Sequence, residues 1–191
     1  MLVVCTANIC RSPAAARLLA DRLGPSIEFA SRGTRSVPGA TMCEVSASWV
    51  MMNGGAIDGH FSQQLQLADI KASTLILTAS SRQRAAVIEM RPSAQVRTFT
   101  LVQAARIAQW AVTRPDCAPP EGADLPHRLL WLAEELDANR GAALRPGPES
   151  ADDLPDPHHT GAHADVLTSL QAAVDAFCSP LLVGSPGYSH R

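Results

Sequence analysis

The chain has 191 residues, a length that favours one domain carrying an extra segment over two full domains. Apolar residues make up 46% and charged residues 18%, which excludes disorder, collagen and coiled coil as whole-chain descriptions, and no run approaches the ~18 apolar residues of a spanning helix. The 16 basic and 18 acidic residues give a net charge of -2 without a basic block, so neither nucleic acid nor membrane is expected as a partner. Met1-Leu2-Val3-Val4 shows no basic leader segment, and a cytoplasmic location is expected.

Leu2 to Val4, short and rich in β-branched side chains, reads as a buried strand ending at Cys5. A seven-residue loop follows. From Pro13 to Leu23 the periodicity is helical, with Ser12 as N-cap, Pro13 at the first helical position and Gly24 just beyond the end. Ser26 to Ser31 reads as a second strand, Met42 to Met52 as a helix closed by Asn53-Gly54-Gly55, and Ser73 to Thr78 as a third strand. Ser81 to Met90 reads as helix, Gln95 to Thr98 as a short strand and Leu101 to Val112 as helix. Strands alternating with helices predict an α/β fold, a mostly parallel sheet covered on both faces.

Prolines recur between Thr113 and Pro157, and a loop-rich insertion over 113–152 is expected, with one extra helix from about Leu125 and Gly141 as its stop. A last helix from about Thr160 to Cys178 places Val166, Leu170, Val174 and Phe177 on one stripe. Residues 1–180 then form a single domain and 181–191 a flexible tail.

Chemistry concentrates in Val4-Cys5-Thr6-Ala7-Asn8-Ile9-Cys10-Arg11-Ser12-Pro13. As bare spacing Cys-x5-Arg is weak, because the residue counts allow about 0.4 chance matches. A strand before it, a serine after the arginine and a capped helix behind it make it specific. Backbone amides of Thr6, Ala7, Asn8, Ile9, Cys10 and Arg11 can converge on a phosphate-sized anion at a helix N-terminus, with the Arg11 guanidinium gripping two oxygens. The same field favours a thiolate at Cys5, the expected nucleophile. Ser12 can donate to that sulfur, and Asn8 can hold the loop in left-handed geometry. The five cysteines, odd in number and without a secretion signal, do not suggest a disulfide framework. Cys10 is a redox candidate able to pair reversibly with Cys5, with simple loop packing as the alternative. A metal is not expected: Cys10 lacks a second cysteine pair at ligand spacing, and His159 and His163, one helical turn apart, are read together with His158 as lining the cleft or facing water.

These residues resemble the low-molecular-weight protein tyrosine phosphatase family in its bacterial form, whose active loop is Cys-x5-Arg-Ser near the N-terminus. Asp156-Pro157 resembles the family's Asp-Pro pair, and Ser31-Arg32-Gly33-Thr34 with Gly59-His60 resembles the segments that buttress the loop. The resemblance covers Met1 to about Ala108 and Asp153 to Cys178. It implies a four-stranded parallel sheet flanked by helices, a flavodoxin-like three-layer arrangement, and a hydrolase without cofactor or metal. It also implies a phosphomonoester hydrolysed through a phosphocysteine, the substrate being a phosphorylated protein or small aryl phosphate and inorganic phosphate the product. Carried over, Cys5 is nucleophile, Arg11 binds phosphate, Ser12 and Asn8 tune the loop, Ser31 and His60 orient Asn8, and Asp156 is the proton donor.

The sequence departs from the family where Ala7 replaces a usual glycine, and where His158, His159 and Val37 stand in place of aromatic walls. Ile9 matches members acting on phosphotyrosine, whereas arginine-phosphatase members tend to have threonine there. Two alternatives follow: an arsenate reductase on the same scaffold, disfavoured because Cys43, Cys117 and Cys178 look isolated, and a phosphoprotein-binding module without turnover.

Overall fold

The computed structural model describes residues 1–57, 59–145 and 147–182. Four strands form one parallel sheet in the order β2-β1-β3-β4: β1 (Leu2–Cys5), β2 (Ala30–Gly33), β3 (Ile76–Thr78) and β4 (Thr98–Thr100). Leu2 is opposite both Ala30 and Ile76, and Ile76 is opposite Thr98. β1 is therefore central, with β2 on one side and β3 on the other. A chain leaving its carboxyl end enters the crevice where parallel α/β sheets bind ligands.

Alternation along β1 sends Val3 to one face of the sheet and Leu2 and Val4 to the other. Val3 joins Leu77 and Phe99 beneath α1 (Arg11–Leu23), α5 (Leu101–Ala111), α6 (Leu125–Ala138) and α8 (His163–Leu182). Leu2, Val4 and Ile76 pack against Ile70 of α3 (Leu67–Ala72), Val87 of α4 (Ser81–Met90) and Ala94 of a 3-10 turn, Pro92–Arg97. The result is three layers, helices on both faces of a parallel sheet, as expected. α2 (Glu44–Met52) and the short α7 (Pro157–Thr160) complete the helices.

Several boundaries differ from the sequence reading, each for a local reason. α1 starts at Arg11, so the loop after β1 has the five residues Thr6–Cys10, and Cys10 is the N-cap. Ser12 lies inside the helix and its hydroxyl is used elsewhere. Pro13 fits there because the first turn of a helix has no amide to lose. The β2 ladder begins at Ala30 because β1 begins opposite it at Leu2, not at Ser26. Pro92 opens a 3-10 turn across the expected fourth strand, which pairs three residues later. α3 was not foreseen. Its capping box, Gln66 receiving the Asp69 amide while Asp69 receives the Gln66 amide, was its legible signal.

Within 113–152, α6 is capped by Asp124 and buries Leu129, Leu132 and Leu136 against the core. The last helix is broken at Gly161, which adopts φ +72, so α7 and α8 are separate. α8 runs through Leu181 and Leu182, both buried. The expected tail therefore cannot start at 181, and its remainder, 183–191, lies outside the described residues.

Candidate active site

Each carbonyl of the loop after β1 is held from outside. Cys5 O accepts from the Thr34 amide at 2.9 Å, Thr6 O from Arg35 at 2.8 Å and Ile9 O from Cys43 at 2.7 Å. Ala7 O accepts from the Ser62 hydroxyl and Asn8 O is bonded to His60 Nε2, both at 2.8 Å. Cys10 O takes the Ala14 amide at 3.2 Å as α1 begins. Because a trans peptide directs its N–H opposite to its C=O, outward carbonyls leave the following amides on the concave side. One of them, Asn8 N–H, points at Cys5 Sγ from 3.3 Å.

Cys5 ends β1 at the floor of this nest, 2% exposed. Its sulfur shares a hydrogen bond with Ser12 Oγ at 3.0 Å, and the N-terminus of α1 adds its positive end. Asn8 has φ +57 and is the only described residue besides glycine with positive φ. Its amide group donates to Ser12 Oγ and Ser31 Oγ at 2.9 Å each, while its Oδ1 accepts from the Gln63 amide at 2.9 Å. Asn8 thus ties the loop to β2 and to the segment around His60. Gly33 lies directly beneath, since a Cβ there would be 2.6 Å from Thr6 O.

Arg11 is buried, and its guanidinium donates to Leu154 O at 2.9 Å and to Asp156 Oδ2 at 2.5 Å. The segment it holds is anchored by its neighbours. Asp152 receives Arg106 through both carboxylate oxygens, and Asp153 receives the amide and hydroxyl of Ser81. Three nearby aspartates, indistinguishable by sequence, are sorted by their partners: only Asp156 reaches Arg11. It also caps α7, accepting from the His158 amide at 3.2 Å.

Residues 1–121 match the family model described as low molecular weight phosphotyrosine protein phosphatase. The chain belongs to this family. As a member of this phosphatase family it is a hydrolase. It is 37% identical over 103 residues to the protein-arginine-phosphatase of Geobacillus stearothermophilus, an alignment covering 54% of this chain and 69% of that protein. It is 35% identical over 92 residues to the low molecular weight protein-tyrosine-phosphatase Wzb of Salmonella typhi, covering 48% and 61%. In structure it resembles the Erwinia amylovora tyrosine phosphatase AmsI, with a TM-score of 0.64 at 22% identity over 93% of this chain and 89% of that one. That likeness concerns the fold. Asp156 lies beyond the matched residues, so its place in this phosphatase rests on geometry.

Ala7 needs no positive φ; the left-handed position is Asn8, so the alanine fits the phosphatase loop without strain. Val37 is 74% exposed. Gln83 was missed by the sequence reading: from α4 it donates to Thr6 Oγ1 at 3.0 Å. Ser62, Gln63 and Cys43 were missed as loop partners as well, because nothing in linear spacing links them to residues 7–9.

Cys10 turns toward α2. Its Sγ shares a hydrogen bond with Ser46 Oγ at 2.8 Å, and Cys43 Sγ donates to the same hydroxyl at 3.1 Å. The closeness of the two thiols holds Cys43 below the usual thiol range and, together with burial, pushes Cys10 above it. The expected neighbour of Cys5 is therefore engaged with Cys43, which is not isolated. His158, rather than His159, meets His163, their rings edge to face at 4.8 Å, because the break at Gly161 removes the helical spacing. No helix among the described residues is long and apolar enough to cross a membrane.

Proposed function

We propose that this phosphatase hydrolyses phosphomonoesters through a phosphocysteine formed on Cys5. The observation that carries this reading is the nest itself: a buried sulfur beneath amides whose carbonyls are all bound outward, at the start of a helix whose first residue, Arg11, is also buried. The inward amides and Arg11 hold the equatorial oxygens of the phosphoryl group, and the Cys5 thiolate attacks phosphorus in line as the bond to the leaving oxygen breaks. Asp156, in its acid form, gives that oxygen its proton. It then takes a proton from the water that cleaves the S–P bond, releasing inorganic phosphate. Ser12, 3.0 Å from the sulfur, stabilises the departing thiolate.

Asn8, Ser31 and His60 position the loop and need not touch the substrate. A phosphorylated protein or small aryl phosphate is the substrate class, and the described residues act as one phosphatase-like domain in which α6 is an added core helix. A reductase reading is not favoured, because the Cys10 thiol is hydrogen-bonded to Ser46 and not to Cys5. The test is phosphate release from an aryl phosphate by wild type beside Cys5→Ser. Loss of turnover is expected, and equal rates would end the proposal. Phosphotyrosine, phosphoserine and phosphoarginine peptides then rank the substrates.

A further inference from the structure

Four donor groups outside the proposed chemistry meet at one point. Cys10 caps α1, Cys43 caps α2, His158 belongs to α7 and His163 opens α8. One donor atom from each lies within 4.8 Å of all the others. We propose that Cys10, Cys43, His158 and His163 form a tetrahedral binding site for a divalent metal of the zinc class.

Two thiols and two imidazoles are the donor set that zinc takes in closed sites, while magnesium and calcium require oxygen ligands that this cluster lacks. Metal–ligand bonds of ~2.0 to 2.3 Å need donor separations of about 3.3 to 3.8 Å, so the side chains close in by about 1 Å on binding. His158, exposed on a short helix next to the Gly161 break, is the ligand best able to move. The ring nitrogens of His158 and His163 make no hydrogen bond among the described residues, leaving both rings available as ligands. Ser46 is fully buried and bridges both thiols; once they are thiolates its single hydroxyl proton serves one of them, a second-layer hydrogen bond that orients that sulfur. Each thiol releases its proton to solvent as its sulfur–metal bond forms, and no electron is transferred.

The location has a consequence. Cys10 immediately precedes Arg11, and His158 follows Asp156 by two residues, so an ion here would clamp the Cys5 loop to the segment carrying Asp156.

The test uses the reduced full chain in the Cys5→Ser background, which removes the competing thiol of the nest. Zinc is titrated against a chromophoric chelator, and cobalt(II) reports geometry. The expected result is one ion per chain, with tetrahedral ligand-field bands and charge transfer from two thiolates. Cys43→Ser and His163→Ala should each weaken binding on the order of 100-fold, while His159→Ala leaves it unchanged. If Cys43→Ser fails to fold by circular dichroism, His163→Ala and His158→Ala carry the test. Octahedral cobalt spectra, unchanged affinity in the folded variants, or binding seen in wild type and lost in Cys5→Ser would each overturn the proposal. The readout is metal affinity, so it is independent of whether the protein proves to be active.

Discussion

Arg11 and Asp156 are 145 positions apart in the chain and meet at 2.5 Å. The arginine leaves the first turn of α1, and the aspartate caps α7. Arg11 also holds Leu154 O, so one guanidinium fixes both backbone and side chain of the segment that carries Asp156. An arginine proposed to bind the phosphoryl group is thereby the group that presents the proposed acid to it.

Replacing that acid should depend on the leaving group. Asp156→Asn should lower kcat by about 10²- to 10⁴-fold on alkyl phosphates and much less on an aryl phosphate with an acidic phenol. Steady-state kinetics across a series of leaving groups measures it. A uniform loss would assign Asp156 to positioning.

Asn8 combines a left-handed backbone with three side-chain hydrogen bonds. Asn8→Ala should destabilise the fold by about 2–4 kcal/mol, since it strands the Gln63 amide and removes the polar side chain through which asparagine tolerates positive φ. Asn8→Gly relieves only the backbone part, about 1 kcal/mol. Urea midpoints that coincide for the two variants would place the whole effect in the hydrogen bonds.

Ala7 and Gly33 should respond in opposite ways to the exchange of alanine and glycine. Ala7→Gly should leave turnover intact and cost about 0.5–1 kcal/mol through the unfolded chain. Gly33→Ala forces a methyl to within 2.6 Å of Thr6 O, where backbone must yield, and should cost about 1–3 kcal/mol together with activity. Thermal melts and aryl phosphate turnover, measured on both variants, decide between them.

Cys178 ties stability to alkaline pH. Burial pushes its thiol from 9.0 up to about 12, so above pH 9 the folded state binds this proton while the unfolded state releases it. Stability is complete below that pH and declines as pH rises toward 12, by up to roughly 4 kcal/mol. Denaturant titrations at rising pH should show a flatter decline in Cys178→Ala than in wild type.

Strand β1, the existence of α1 and the Cys5-to-Arg11 spacing were legible because each depends on neighbours within a few residues: β-branched apolar side chains, an alanine-rich periodicity, a proline in the first turn. Ser12 shows the limit of that reading. It has the composition of a cap, yet its hydroxyl lies 3.0 Å from Cys5 Sγ and the cap is Cys10. A serine next to a buried thiol and an asparagine amide finds better partners there than at its own helix end.

Residue order alone set the alternation of elements and the identity of the loop, because backbone preference and hydrophobic period act over short separations. Which aspartate faces Arg11, which groups pull the six carbonyls outward, and which cysteine lies beside Cys10 were decided by folding. The order of strands in the sheet, with β1 in the middle, brings the ends of distant segments together at one crevice. No spacing along the chain records those separations in space.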